Sequence, residues 1–227
     1  MLARNPLIVA IDVSDLDRAE ELASALAGHV AYLKTGLELF TSAGPAGVER
    51  MRRHAPVMLD LKLHDIPTTV YRAARNVSRL GVDLLTVHAL GGIEMVRAAV
   101  EGAGKGAAEA GFEAPGILGV TILSHLAGEG LASPASLAFD AISAGATGVV
   151  VSGDDVREVR EGVGPRPVLV VPGIRPRGAA SNDHVRLLSP GEALQRGADL
   201  LVIGRPVTEA DDPAAAVDAI LREVGAA

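Results

Sequence analysis

Eight short apolar runs, each followed by a stretch with helical spacing, repeat along the whole 227-residue chain. This alternation constrains the fold more than any other feature. The expected strands cover residues 7–13, 30–35, 57–63, 84–88, 116–121, 148–151, 168–172 and 200–203. The amphipathic stretches cover 16–27, 38–53, 68–80, 93–110, 134–144, 155–161, 190–196 and 213–224. Strand and helix in strict alternation, eight times over, predict an α/β protein of the (β/α)8 TIM-barrel type rather than an open doubly wound sheet. No proline- or serine-rich linker interrupts the pattern, so one barrel domain over residues 1–227 is expected.

Barrels of this kind place their chemistry at the C-terminal strand ends. The polar residues expected there are Asp12, Lys34, Asp60, Lys62, His88, Thr121 and Arg205. Asp12 should share a face with Ile8 and Ala10, and Lys34 with Val30 and Tyr32. The densest group lies in residues 59–67, LDLKLHDIP. Period-2 alternation sends Asp60 and Lys62 to one face and Leu59, Leu61 and Leu63 to the other, where the leucines should be buried. The strand should stop near His64, and Pro67 is suited to open a helix. Two carboxylates, Asp60 and Asp65, thus flank one ammonium. A structural salt-bridge ladder is the plainer reading, but charge on an inward face is costly unless paired, which favours a working site.

Lysine usage sharpens the point. Of the 21 basic residues only Lys34, Lys62 and Lys105 are lysine. Arginine cannot usefully donate a proton, so two lysines kept at strand ends suggest a chemical role. Lys105, among Gly and Ala, reads as a surface residue. The net charge of −7 and an aromatic content of 2% argue against nucleic-acid binding. With no cysteine there are no disulfides, thiol nucleophiles or thiolate metal sites. No signal-peptide pattern or membrane-length apolar run is present, so a cytoplasmic location is expected.

Two connections, 122–133 with Ser124 and His125, and 173–189 with Arg175 and Arg177, are long enough to act as binding loops. After the eighth strand come Gly204 and Arg205, where such barrels commonly hold phosphate. Gly204 permits close backbone approach, and Arg175 and Arg205 offer forked donors to phosphate oxygens. Two other signals are discounted. Residues 102–106, GAGKG, lack the ending of a phosphate loop and follow a helix. Asp60, Asp65 and His64 could in principle hold a divalent ion, but Lys62 projects between the carboxylates and would oppose it. His88 reads as an orienting or core residue.

The motifs VAIDV (9–13), LKTG (33–36), LDLKLHDIP (59–67), TVHALGG (86–92), VPGIRP (171–176) and LVIGRPVT (201–208) resemble, in this order, the orotidine 5′-phosphate decarboxylase family. The resemblance implies a cofactor-free (β/α)8 homodimer that converts orotidine 5′-phosphate to uridine 5′-phosphate in pyrimidine synthesis. Carried over by position, Lys34, Asp60, Lys62 and Asp65 form the catalytic array. Asp65 and Thr69 would reach across the dimer interface. Asp12 would bind ribose, Ser124 the pyrimidine, and Arg175, Gly204 and Arg205 the phosphate. His184 stands where the family's phosphate-closing loop usually supplies Gln. The alternative is a related Mg²⁺-dependent 3-keto sugar-phosphate decarboxylase with a similar Asp-x-Lys-x-x-Asp motif. A Schiff-base aldolase would want a neutral lysine, against the pull of two carboxylates. A non-catalytic nucleotide sensor would leave the lysine pair unexplained.

Overall fold

The computed structural model describes residues 5–122, 132–176 and 188–225. Its eight strands are β1 (Leu7–Ala10), β2 (Tyr32–Gly36), β3 (Val57–Leu63), β4 (Leu84–His88), β5 (Gly116–Val120), β6 (Gly148–Val150), β7 (Val168–Val171) and β8 (Leu200–Ile203). All neighbours pair in parallel, and β8 pairs with β1, so the sheet closes in sequence order as the alternation predicts. The helices are α1 (Leu16–Ala25), α2 (Leu37–Ala43), α3 (Pro45–Arg52), α4 (Pro67–Ser78), α5 (Gly92–Ala110), α6 (Pro134–Ser143), α7 (Val156–Val163), α8 (Pro190–Gln195), α9 (Arg205–Thr208) and α10 (Pro213–Glu223).

Strand alternation divides the apolar residues into two clusters. Ile8, Met58, Leu118, Val120, Val170 and Val202, among others, fill the barrel. A larger cluster, including Leu7, Val9, Leu33, Leu59 and Leu85, lies between sheet and helices. Prolines set several helix starts: α3, α4, α6, α8 and α10 each open on one, where its missing N–H is no loss and its φ is preset. Pro45 also divides the single helix expected over 38–53 into α2 and α3. The short α9, and a turn of 3-10 helix at Ala89–Gly91, were not foreshadowed by periodicity.

Other expectations need amending. Val30 belongs to the helix-facing cluster, not to the face of Lys34, because it precedes the strand proper, where alternation does not apply. Leu61 and Leu63 pack on that cluster but stay partly exposed. β3 runs three residues past its last pairing with β2, at Asp60, so its end is uncovered on that side. The glycines of residues 102–106 serve packing. A side chain at Gly102 or Gly106 would collide with the carbonyl oxygens of Tyr71 or Arg75 on α4, so these glycines let α4 and α5 lie close.

Candidate active site

Strands β2, β3 and β4, with Asp12 just past β1, bring the polar residues together at one mouth of the barrel. Lys34, on β2, places Nζ 3.0 Å from Asp12 Oδ1 and 3.5 Å from Asp60 Oδ2. Lys62, two residues beyond Asp60 on β3, places its own Nζ 2.8 Å from the same Oδ2. Thr86 on β4 donates its hydroxyl to Asp60 Oδ1 at 2.9 Å and accepts the Lys62 N–H at 2.9 Å. Burial by itself would push the Asp60 carboxyl up. The Lys34 and Lys62 ammoniums, with hydrogen bonds from Lys62 and Thr86, outweigh it and hold the group below the usual carboxylate range. Asp60 is therefore a buried anion between two cations. Gly36 completes the arrangement: a Cβ there would stand 2.8 Å from both Asp12 Oδ1 and Lys34 Nζ, so a side chain would part the pair.

Two cavities meet at this array. The wider, about 520 Å³, is lined by Asp12, Lys34, Asp60, Arg175, Gly204 and Arg205, among others. The smaller, about 190 Å³, is mostly apolar, with Met58, Lys62, Val120, Ile122, Val150 and Ser152 in its wall. They share Lys34, Asp60, Pro172 and Val202. A ligand spanning both would set an anionic end beside the arginines and a flat, less polar end beside Lys62. Gly204 caps α9, so a short helix starts beside the polar cleft, the usual phosphate position in such barrels. Arg175 is buried and held by Ile174: its guanidinium donates to the Ile174 carbonyl at 3.0 Å, while its backbone N–H donates to Leu188 O.

The remaining expectations divide. Asp65 is exposed, its Oδ1 accepting the Ile66 N–H at 2.7 Å. No described ion pair reaches it, so this chain does not itself bring Asp65 to Lys62. Thr69 is exposed on the first turn of α4. Thr121 is fully buried and gives its hydroxyl to Val150 O, so it serves the β5–β6 seam rather than a cavity. His88 is buried, its Nδ1 without a hydrogen-bond partner, and its ring lies 5.1 Å from that of His64. Burial first, then the neighbouring His64 and Lys62, keep its imidazole below the usual histidine range and hence uncharged near neutrality. Lys105 is a surface residue beside Glu109, as expected. Ser124, His125, Arg177 and His184 lie outside the described residues. Sequence reasoning missed Thr86 and Ser152. Each reads as an ordinary strand or turn residue, and only barrel closure brings them to the array and the smaller cavity.

A closed barrel with a buried carboxylate between two amines, opening on an arginine-lined cleft, defines a (β/α)8 enzyme site for a small anionic ligand. Residues 5–220 match the model of the orotidine 5′-phosphate decarboxylase / HUMPS family, and the chain belongs to that family. It is 49% identical over 225 residues to orotidine 5′-phosphate decarboxylase of Anaeromyxobacter sp. (strain K), covering 94% of this chain and 96% of that one. To the protein of the same name from Moorella thermoacetica it is 44% identical over 236 residues, covering 99% and 94%. The crystal structure of orotidine 5′-phosphate decarboxylase from Lactobacillus acidophilus superposes with a TM-score of 0.84 at 35% identity, covering 97% of this chain and 99% of that one. None of the described helices is long and apolar enough to cross a membrane.

Proposed function

We propose that this chain converts orotidine 5′-phosphate to uridine 5′-phosphate and CO2, without metal or organic cofactor. The observation that carries the reading is the Lys62 amine, 2.8 Å from Asp60 where the polar cleft meets the apolar cavity. The 5′-phosphate would lie by Arg175, Gly204 and Arg205, the ribose by Asp12 and Lys34, and the pyrimidine against Met58, Val120 and Ile122. Breaking the bond between C6 and its carboxylate leaves an electron pair on C6 with little resonance help. A fixed positive charge must therefore stabilise it. Lys62 supplies that charge, then transfers an N–H proton to C6 and regains one from water. Asp60 holds the amine in place and, facing the departing carboxylate, disfavours the bound substrate more than a product whose ring is uncharged. The remote phosphate provides binding energy that fixes the ring in place.

The Mg²⁺-dependent alternative would need Asp60 as an open ligand, whereas its oxygens are occupied by Thr86, Lys62 and Lys34. Asp65 and Thr69 belong in this reading to the neighbouring subunit's site. Among the described residues no cation pairs with Asp65, and Ile66 beside it is 66% exposed, as a contact between two copies would require. Ser124 and His184 remain proposed contacts to pyrimidine and phosphate, and a cytoplasmic location remains part of the proposal, overturned by recovery in a membrane fraction.

The deciding assay follows ultraviolet loss of orotidine 5′-phosphate in EDTA. The wild-type protein should turn over. Lys62→Ala should lose at least about 10⁴-fold in kcat, from charge stabilisation and proton donation together, while still binding uridine 5′-phosphate. Turnover that requires Mg²⁺, or survives loss of the amine, would sink the proposal.

A further inference from the structure

Thr86 is fully buried on β4, lines neither cavity, and has no place in the chemistry proposed above. The backbone opposite it is unusual. From Leu59 to Leu63 on β3, the pairing with β4 advances only from Leu85 to Val87, so β3 bulges. Lys62 lies inside that bulge with φ at 51°, the one non-glycine residue in the left-handed region among those described. Its N–H donates to Thr86 Oγ1, a side chain, rather than to a β4 carbonyl. The same oxygen gives its hydrogen to Asp60 Oδ1. An amide N–H can only donate, so the hydroxyl must accept it and is left with its one proton for Asp60. That direction suits an ionised Asp60, whose other oxygen is then free to accept from the Lys62 and Lys34 amines.

We propose that Thr86 is a positioning residue: its hydroxyl ties the strained backbone of Lys62 to the Asp60 carboxylate, so that amine and carboxylate meet in one geometry. The inference rests on the decarboxylase reading for its kinetic readout. Without the hydroxyl, the Lys62 N–H would be unpaired and Asp60 would lose a neutral donor. The amine would then sample positions away from C6. Since Thr86 is absent from both cavity walls, ligand affinity should hardly change while kcat falls. A threonine present only to fill a strand would be replaced by valine without kinetic effect.

The experiment compares Thr86→Val and Thr86→Ser with the wild-type protein on orotidine 5′-phosphate, alongside thermal midpoints and the Kd of uridine 5′-phosphate. Thr86→Val should lose about 10- to 100-fold in kcat with Kd within about threefold, as expected for one hydrogen bond to a charged group at a reacting centre. Thr86→Ser should stay within about threefold of wild type in kcat, because it keeps the hydroxyl. Wild-type kcat in Thr86→Val, or an equal loss in Thr86→Ser, overturns the proposal. If Thr86→Val does not fold, Thr86→Ala against Thr86→Ser makes the same comparison, the two differing only in the hydroxyl.

A wild-type protein inactive on this substrate would refute the decarboxylase reading instead. In that case the carbon-13 carboxylate signal of Asp60 still decides the coupling. Among the described residues the titratable groups around Asp60 are Lys34 from β2 and Lys62 from β3, with Asp12 behind Lys34 and His88 beyond Lys62. With all four retained, loss of the Thr86 hydroxyl should move the Asp60 titration to higher pH. An unmoved titration overturns the proposal.

Discussion

Replacing Asp60 by asparagine keeps the shape of the side chain and removes the one anion that Lys34 and Lys62 share. At an effective dielectric constant of about 20, contacts of 2.8 and 3.5 Å correspond to gross attractions of about 6 and 5 kcal/mol. Desolvation of the buried carboxylate cancels much of that, and breaking such a pair usually costs about 3–5 kcal/mol. Lys34 keeps Asp12 at 3.0 Å, and the Lys62 side chain is 31% exposed, so the lower end, about 3 kcal/mol, applies. For a chain of this length that is a fall in Tm of about 6–12 °C. The sign with pH follows from the carboxyl being held below its ordinary value of 3.8. The stability it contributes is fully present above pH 3.8 and is lost as pH falls through the lower folded value. The gap in Tm between wild type and Asp60→Asn should therefore be widest near neutrality and narrow below pH 3.8. At pH 7 the variant should also lose more than about 10³-fold in kcat, since the amine is no longer held in place. Thermal scans at both pH values and steady-state kinetics test this. An unchanged or raised Tm at pH 7, or a gap that does not vary with pH, would refute the electrostatic account.

Gly36→Ala should lower kcat/KM by about 10- to 100-fold with a smaller effect on Tm, because its Cβ would part a pair at the cavity wall; kinetics equal to wild type would show that Asp12 and Lys34 need not touch. If the site is shared as proposed, Lys62→Ala and Asp65→Ala should each be inactive alone. Mixed after subunit exchange in equal amounts, they should recover about a quarter of the wild-type sites, since half the dimers are mixed and each holds one intact pair. No recovery despite demonstrated exchange would place Asp65 in its own chain's site, and an active Asp65→Ala would place it outside any.

The barrel was legible because buried strands are apolar runs bounded by turn residues, and β3, β4 and β8 fall where those runs predict. The lysine pair was legible because arginine fills almost every other basic position, leaving two lysines conspicuous at strand ends. What was not legible depends on contacts between strands. The bulge in β3 carries no glycine to announce it, and alternation places Lys62 on the right face without revealing its left-handed backbone. Thr86 sits in the run LLTVH, where a β-branched residue is what any strand would carry. Its role emerges only when β4 is laid beside β3.

The two lysines also differ in a way that distinguishes their tasks. Lys34, its side chain 10% exposed, lies between Asp12 and Asp60, so its charge is answered twice within its own chain. Such an amine is fixed in direction and poorly placed to surrender a proton. Lys62 is more open and, among the described residues, reaches only Asp60. A single carboxylate leaves its remaining hydrogens facing the smaller cavity and leaves room for a second acid beside it. Within the proposed mechanism the asymmetry suits Lys34 to orientation and charge balance and Lys62 to proton delivery. In the proposed reading it would also account for a second subunit's carboxylate: the cation given the chemistry is the one that, among the described residues, a single carboxylate answers.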